Sequence, residues 1–566
     1  MEGKKQQVDD PQKILMVPMI AHGHATPFFE LAKKLSKANF HIYLCSTSAV
    51  LSFLKQSQEK YFSDVSNTNI ELVELHLPSM PDLPSHYQST KGLPNHLYPP
   101  LFTAYKMAGE SFSIIVNNLS PDLIIEDFFQ AWAPDIALSK NIPIVSFSVV
   151  SAASYSFMYH IYLSDGATDD YPFPEICLSN NEIEIGLVSK PTGSSITVFM
   201  EKILVYSARK KSCDIVLINN WKETEVKYMQ YLSSIINKKT LSVGPLIGQT
   251  DESTQDDQDS DIIEWLDKRD PFSTVYAVFG SENVWSKENI QEIAHGIELS
   301  NVNFLWVLRF PGSEVEQVLP EGFLNRVKER GMVVSRWVPH AKIMRHKSIG
   351  GFLNHCGWNS TVECIHFGVP LIAMPFNMDQ FITANYAVEL GMALKVQRDE
   401  KGGLKREEIA KAIRNVIMEK KMGEELRETS KELSEKIRIK EEKEIDQEVV
   451  EELRNLCLMN KKEKKEQLQR LYSCGELTVQ ELISIYFLCC FFDSELLKHI
   501  PDLRLVILEH FEDVEQAKAQ WLNQGDQNTK YFHGLVKPRR NCNRIFHIKD
   551  MKGDDIDDPV KIPKAL

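Results

Sequence analysis

The sequence predicts an α/β protein of two doubly wound domains followed by an extra C-terminal segment. Three observations predict it. ILMVPMI (14–20) is a continuous apolar run, the pattern of a parallel strand buried on both faces. A tight AHGHAT turn, a helical run and a second strand, HIYLCST (41–47), follow it, and that order makes a βαβ unit. A second βα series begins at STVYAVFGSE, beyond an acidic stretch, TDESTQDDQDSD, nearly free of apolar residues. At 566 residues the chain is long enough for more than one core.

Taken in order, Thr26 is expected to cap the first helix, with Pro27 in its first turn. Phe28, Leu31, Ala32 and Leu35 then recur at helical spacing. Further strands are expected at 123–126, 142–147 and 215–219. The Pro- and His-rich span 77–100 reads as a long loop, of the kind that shapes a pocket over C-terminal strand ends. In the second series Ser286 can cap a helix that carries Ile290, Ile293, Ala294 and Ile297 on one face. NFLWVLRF, MVVSRW, IGGFLN (349–354) and VPLIAMP (369–375) are the strands after it. A last helix in EIDQEVVEELRNLC presents Ile445, Val449, Leu453 and Leu456. The expected domains are 1–249 and 262–460, joined by an acidic linker at 250–261, with 461–566 as the extra segment.

Composition excludes several classes. A formal charge of −14 argues against a nucleic-acid-binding protein. The ten cysteines show no CxxC spacing, which fits a reducing cytosol. No apolar run follows MEGKKQQVDD, so no secretory signal is read. The longest apolar run, LISIYFLCCFF (482–492), falls short of the roughly 20 residues that cross a bilayer. A soluble, cytoplasmic protein without a membrane partner is expected.

The functional signal lies between Trp337 and Gln380. A Gly-Trp-Asn-Ser turn, containing Trp358, opens a helix, and a helix start offers unpaired N–H groups and partial positive charge to a phosphate. His355, Asn359 and Ser360 cluster there as donors. Trp337 supplies a flat aromatic face for a base, and Glu363, Asp379 and Gln380 can bond hydroxyls. Base, diphosphate and sugar are the parts of a nucleotide sugar.

With GVP and the terminal DQ at their spacing, this stretch resembles the donor-binding signature of plant family 1 UDP-glycosyltransferases. The resemblance covers about 13–457. It implies a GT-B architecture, two Rossmann-like domains facing a cleft, with the last helix crossing back to the first domain. It assigns acceptor binding to the first domain and the UDP-sugar to the second. Trp337 would stack on uracil, the Val338 backbone would meet its edge, and Glu363 would hold the ribose. His355, Asn359 and Ser360 would contact the diphosphate, joined by Ser281, with Trp358 in the same donor-binding set. Asp379 and Gln380 would hold the sugar, and Gln380 makes glucose the default. UDP-glucose enters as donor substrate, with no cofactor and no metal, because the helix N-terminus and His355 would stabilise the leaving charge. Two positions depart from the pattern: His340 replaces a Gln that bonds ribose or base edge, and Val278 replaces a Ser. Weaker donor binding is expected from the first.

Transfer also needs a base for the acceptor hydroxyl. In the G-H-x-x-P context His24 matches the family's base, and an imidazole titrates near neutrality. His22 reads as a turn or pocket residue. Asp127, ending PDLIIED, matches the acidic partner that orients the imidazole. With no carboxylate nucleophile, single displacement with inversion is expected. The spans 18–47, 83–97 and 121–134 most resemble the branch-forming subgroup, which adds sugar to a sugar already on a small molecule, as glucosyl-crocetin β-1,6-glucosyltransferases do. Direct glycosylation of a flavonoid or terpenoid hydroxyl is the alternative. A donor-binding pseudoenzyme, and a fusion whose tail binds RNA, are the readings from other classes.

After Asn460 the character changes. KKEKKEQ is a charge run, and 517–553 resembles the segment preceding the reverse transcriptase in plant non-LTR retrotransposon polyproteins. The basic KPRRNCNR beside Trp521, Tyr531 and Phe532 suits nucleic acid in isolation, but a segment without function is expected.

Overall fold

The computed structural model describes residues 11–459 apart from 58–60, 63–68, 128–129, 131, 165–167, 169, 180, 184, 186–213, 248–259, 281–285, 309–314, 337, 377 and 442–444. The resemblance read in 517–553 therefore lies outside the described residues, as do Trp337, Ser281 and positions 250–259 of the expected linker. The described residues up to Leu458 form one compact unit.

Among the described residues the strands form two sheets, and every strand pair is parallel. The first holds β1 Gln12–Val17, β2 Phe40–Ser46, β3 Ile70–Glu74, β4 Leu123–Glu126, β5 Ile144–Ser148, β6 Ile215–Ile218 and β7 Lys239–Ser242, in the order 3-2-1-4-5-6-7. The second holds β8 Thr274–Val278, β9 Asn303–Val307, β10 Gly331–Val334, β11 Ile349–Asn354, β12 Leu371–Ala373 and β13 Ala393–Lys395, in the order 10-9-8-11-12-13. Both are doubly wound, and the strand order reverses at β1/β4 and at β8/β11. Ligands bind at such switch points, beyond the carboxyl ends of the strands.

Central strands appear where the apolar runs predict them. The three that sequence reading missed, β3, β7 and β13, are edge strands with mixed, partly exposed patterns such as KTLS. Ser286 caps its helix, accepting from Asn289 N–H, and Ile290, Ile293, Ala294 and Ile297 are buried as expected.

Three expectations change. Helix α1 runs His22–Lys37, so it starts four residues before Thr26. Ala21 is the N-cap residue, Pro27 lies inside the helix, and the Thr26 hydroxyl donates back to the His22 carbonyl. His24 therefore sits in the first helical turn and not in a loop. The linker ends early, because Ser260 and Asp261 already belong to the helix Ser260–Asp267, whose Ile262 and Leu266 are buried. The last helical run, 447–459, buries Val449, Val450, Leu453 and Cys457 in the core of the first sheet, together with Ile445. Leu456 only borders that core. Arg454 bonds the Ala38 carbonyl at the end of α1, and Lys239 pairs with Glu448 and Glu452.

A second apolar core spans both sheets. Residues of α2 (Ala152–Leu163) and α3 (Lys222–Ile236), which flank the first sheet, share it with β11, β12 and α4 (Met378–Glu389) of the second. Polar ties run along the seam: Tyr228 and Lys227 reach Glu389, and the Ser154 hydroxyl lies 3.3 Å from that of Thr383. This seam sets how the two switch points face each other.

Candidate active site

At the first switch point the last ladder pair is Val17 with Glu126, and Asp127 is the next residue. Its backbone N–H donates to the Val17 carbonyl (3.2 Å). Its side chain is fully buried, and Oδ2 accepts from the Met19 N–H at 3.2 Å and lies 2.6 Å from His24 Nδ1. A carboxylate accepts, so Nδ1 carries the proton and Nε2 is the basic nitrogen. The His24 side chain keeps 19% of its surface exposed. This is an oriented imidazole with solvent access, suited to taking a proton from a hydroxyl.

Two neighbours that sequence reading missed shape this corner. Gln130 donates to the Tyr105 hydroxyl at 2.6 Å, and that hydroxyl donates to the Pro18 carbonyl at 3.2 Å. They pin the turn that presents Met19 to Asp127; in the sequence the one signal was a Gln three residues after Asp127. His22 has another character. It is buried, its ring stacks on Phe53 at 3.8 Å, and burial, aided by the nearby Lys91 charge, lowers its pKa to about 4. It is neutral packing at neutral pH. The 77–100 span arches over this edge: Thr90 N–H bonds the Ile20 carbonyl, and the Thr47 hydroxyl bonds that of Gln88.

At the second switch point Asn354 faces Val278 in the last ladder pair. Asn354 Nδ2 donates to the Val278 carbonyl (2.6 Å), and its Oδ1 accepts from Cys356 N–H (2.8 Å). That bracket folds the turn, with Cys356 at φ 65°, into α5, Trp358–Phe367. Asn354 is a second organising residue missed in the sequence, visible there only as a polar residue ending an apolar strand.

His355 stands between two glycines. A Cβ on Gly280, which has φ +76°, would fall 2.9 Å from His355 Cε1, and one on Gly357 would fall 2.7 Å from Nε2. Burial lowers the His355 pKa to about 4, and its Nδ1 has no hydrogen-bond partner among the described residues. The ring is therefore neutral at neutral pH. A neutral ring can still serve as the expected side-chain donor through one hydrogen bond, while the positive potential comes from the N–H groups opening α5.

The remaining expected residues divide. Trp358 is buried and its indole N–H donates to the Asn219 carbonyl at 2.6 Å, beyond β6. Its side chain thereby ties the two sheets together, while its backbone opens α5. Asn359 Nδ2 reaches the Gly23 carbonyl in α1 at 2.7 Å, while Ser360 is half-buried in the first turn of α5. The Val338 carbonyl accepts from the His340 N–H (2.8 Å), so a base edge would share it. His340 has the Tyr276 hydroxyl 3.0 Å from Nδ1 and Glu363 Oε2 3.2 Å from Nε2. The carboxylate expected to hold a ribose is thus also the neighbour of the unusual histidine. Asp379 is half-buried at the start of α4; Gln380 is buried, and its Oε1 accepts from Phe376 N–H at 3.0 Å. Trp337 and Ser281 lie outside the described residues. The structure brings His24, Asp127, Asn359 and the start of α5 into one neighbourhood, since Gly23 adjoins His24.

Comparison with known proteins agrees with this fold. Residues 238–435 match the family model described as UDP-glucoronosyl and UDP-glucosyl transferase, and 10–248 match that of the glycosyltransferase N-terminal domain. UDP-glucosyltransferase 29 of Panax ginseng is 44% identical over 454 residues, 80% of this chain and 98% of that protein. A beta-D-glucosyl crocetin beta-1,6-glucosyltransferase of Gardenia jasminoides is 40% identical over 436 residues, covering 76% and 96%. The crystal structure of Glycyrrhiza uralensis UGT73P12, complexed with glycyrrhetinic acid 3-O-monoglucuronide, superposes with a TM-score of 0.69 at 23% identity, covering 81% and 99%. That likeness is one of fold, and the fold is GT-B.

Proposed function

Because the chain belongs to the plant UDP-glycosyltransferases and is an enzyme of that kind, we propose that it moves glucose from UDP-glucose to a sugar hydroxyl of a small-molecule glycoside. The acceptor hydroxyl gives its proton to His24 Nε2 as its oxygen bonds to the anomeric carbon. The bond from that carbon to the diphosphate breaks on the far side, so an α-linked donor yields a β-glycoside. Asp127 keeps the imidazole in the required tautomer and steadies the imidazolium that forms. UDP leaves against the N–H groups opening α5, with Ser360 and the neutral His355 as further donors. Trp337 and Val338 take uracil, Glu363 the ribose, and Asp379 and Gln380 the sugar. Acceptor binding falls to residues 1–249 and donor binding to 262–460. The enzyme works in the cytoplasm, and 461–566, with its likeness to a mobile element, takes no part.

The observation that carries this reading is the 2.6 Å contact of Asp127 with His24, whose helix Asn359 joins to the phosphate-suited start of α5. The sugar-on-sugar choice is supported by the Gardenia relative, whose named acceptor is itself a glucoside. A panel of glucosides and their aglycones, incubated with UDP-glucose and read by mass spectrometry, tests it. Products from glucosides alone, with a β anomeric coupling in the proton spectrum, are expected. Turnover of aglycones alone would replace the reading with direct aglycone glucosylation, and turnover of neither would favour a pseudoenzyme.

A further inference from the structure

A proline inside a helix withholds an N–H from the carbonyl four residues earlier. Pro27 lies inside α1, so the carbonyl it leaves unserved is that of Gly23, the residue before His24. That carbonyl does have a donor: Asn359 Nδ2, at 2.7 Å, from a position 336 residues away on the other sheet. Gly23 also faces open space, with nothing within 4 Å of where a Cβ would sit, so an arm from the opposite domain can approach it. Asn359 stands in the first turn of α5, where the diphosphate is expected to sit.

We propose that Pro27, Gly23 and Asn359 form a latch that couples occupation of the donor site to placement of His24. Pro27 creates the acceptor, Gly23 presents it, and Asn359 closes it from the phosphate-facing helix. Pro27 and Asn359 are thereby positioning residues, acting through the backbone that carries His24. The inference rests on the reading of His24 as base and of α5 as the phosphate site. It differs from a simple diphosphate contact by Asn359, because it makes Pro27 matter to turnover although Pro27 touches neither substrate.

The test is a double-mutant cycle in the full chain. Pro27→Ala restores an N–H that can bond Gly23 within α1 and so competes with Asn359; Asn359→Ala removes the donor. Each single variant should lower kcat about two- to twelvefold, the worth of one hydrogen bond. The double variant should fall no further than the weaker single one, and by reciprocity Pro27→Ala should weaken UDP binding by no more than the same factor. Alanine is the better helix former, so a general loss of structure in α1 is not the expected cause. Hydrogen exchange of residues 21–26 supplies a readout independent of the chemistry. UDP should protect these amides in the wild type and leave them unprotected in both single variants. Multiplicative losses in the double variant, or equal UDP protection in wild type and variants, would overturn the latch. If protection follows the latch while kcat is unaffected, the latch stands and the assignment of His24 as base is what fails.

Discussion

The two switch points of the molecule share a backbone position and differ in what occupies it. One residue beyond the last ladder pair stands Asp127 in the first sheet and His355 in the second. Asp127 is a buried acceptor met by the Met19 N–H and by His24. His355 is a ring caged by Gly280 and Gly357, pushed neutral by burial, beside the start of a ten-residue helix. In the proposed reaction one address gathers a proton and the other gathers negative charge. Topology supplies the place, and the side chains supply the chemistry.

Removing the base should break the comparison most visibly. His24→Ala is expected to lower kcat about 10²–10⁴-fold while UDP binding, measured by calorimetry, stays as it was. A variant with undiminished turnover would hand the proton to some other group. His22 is a poor substitute, since it is stacked, buried and neutral.

Acid should sharpen the contrast between buried groups of opposite type. His22 and His355 have folded-state pKa values near 4, below the ordinary 6.5. Their contribution to stability is full above about 6.5 and is lost as the pH falls toward 4. Glu225, buried beneath the first turn of α2 and bonded to the Ala152 and Ala153 N–H groups, has the opposite sign. Burial raises it to about 7, so its contribution is present below about 4.5 and is lost as the pH rises through 7. Denaturant titrations of the wild type, His22→Phe and Glu225→Gln between pH 4 and 8 should give difference curves of opposite slope. Each difference should reach no more than about 3 kcal/mol. Two slopes of the same sign would refute the assignment.

A methyl group probes the two turns directly. Gly280→Ala meets both a positive φ and the His355 ring, and should cost about 1–3 kcal/mol in a thermal melt as well as weaken UDP binding. Gly23→Ala meets open space inside a helix, and its melt should hold or rise by up to about 1 kcal/mol. Equal losses at both positions would mean that the cage around His355 is not tight.

Smaller still is the effect of restoring the family's amide. His340→Gln should tighten UDP-glucose by about 0.5–1.5 kcal/mol in a titration, by releasing Glu363 from the imidazole 3.2 Å away. Weaker binding would show instead that the Tyr276–His340 contact holds Glu363 in place. Least of all should follow from ending the chain at Asn460, since the last helical run already buries Cys457. Transfer activity and melting temperature should match the full chain, and a marked fall in either would assign the remaining residues a role.

By itself the sequence determined what short-range pattern can encode. Continuous apolar runs marked the central strands, Ser286 marked its helix start, and His24, Asp127 and the residues from Trp337 to Gln380 marked where chemistry belongs. The rest came from tertiary structure, because its causes lie far apart along the chain. Edge strands such as Lys239–Ser242 carry too little apolar signal and form because a neighbour offers an open ladder. The start of α1 at His22 defied the Thr-Pro signal, since Asp127 and Thr90 hold Met19 and Ile20 just ahead of it and the Gly23 carbonyl that Pro27 cannot serve takes a donor from Asn359. The partner of the Trp358 indole, the Asn219 carbonyl 139 positions away at the end of β6, is visible only in the fold. His355 reads as a donor to phosphate, but that its ring is neutral follows only from the surrounding protein, which makes the charged form unfavourable. A residue's type is local, but its solvation and its partner are properties of the whole fold.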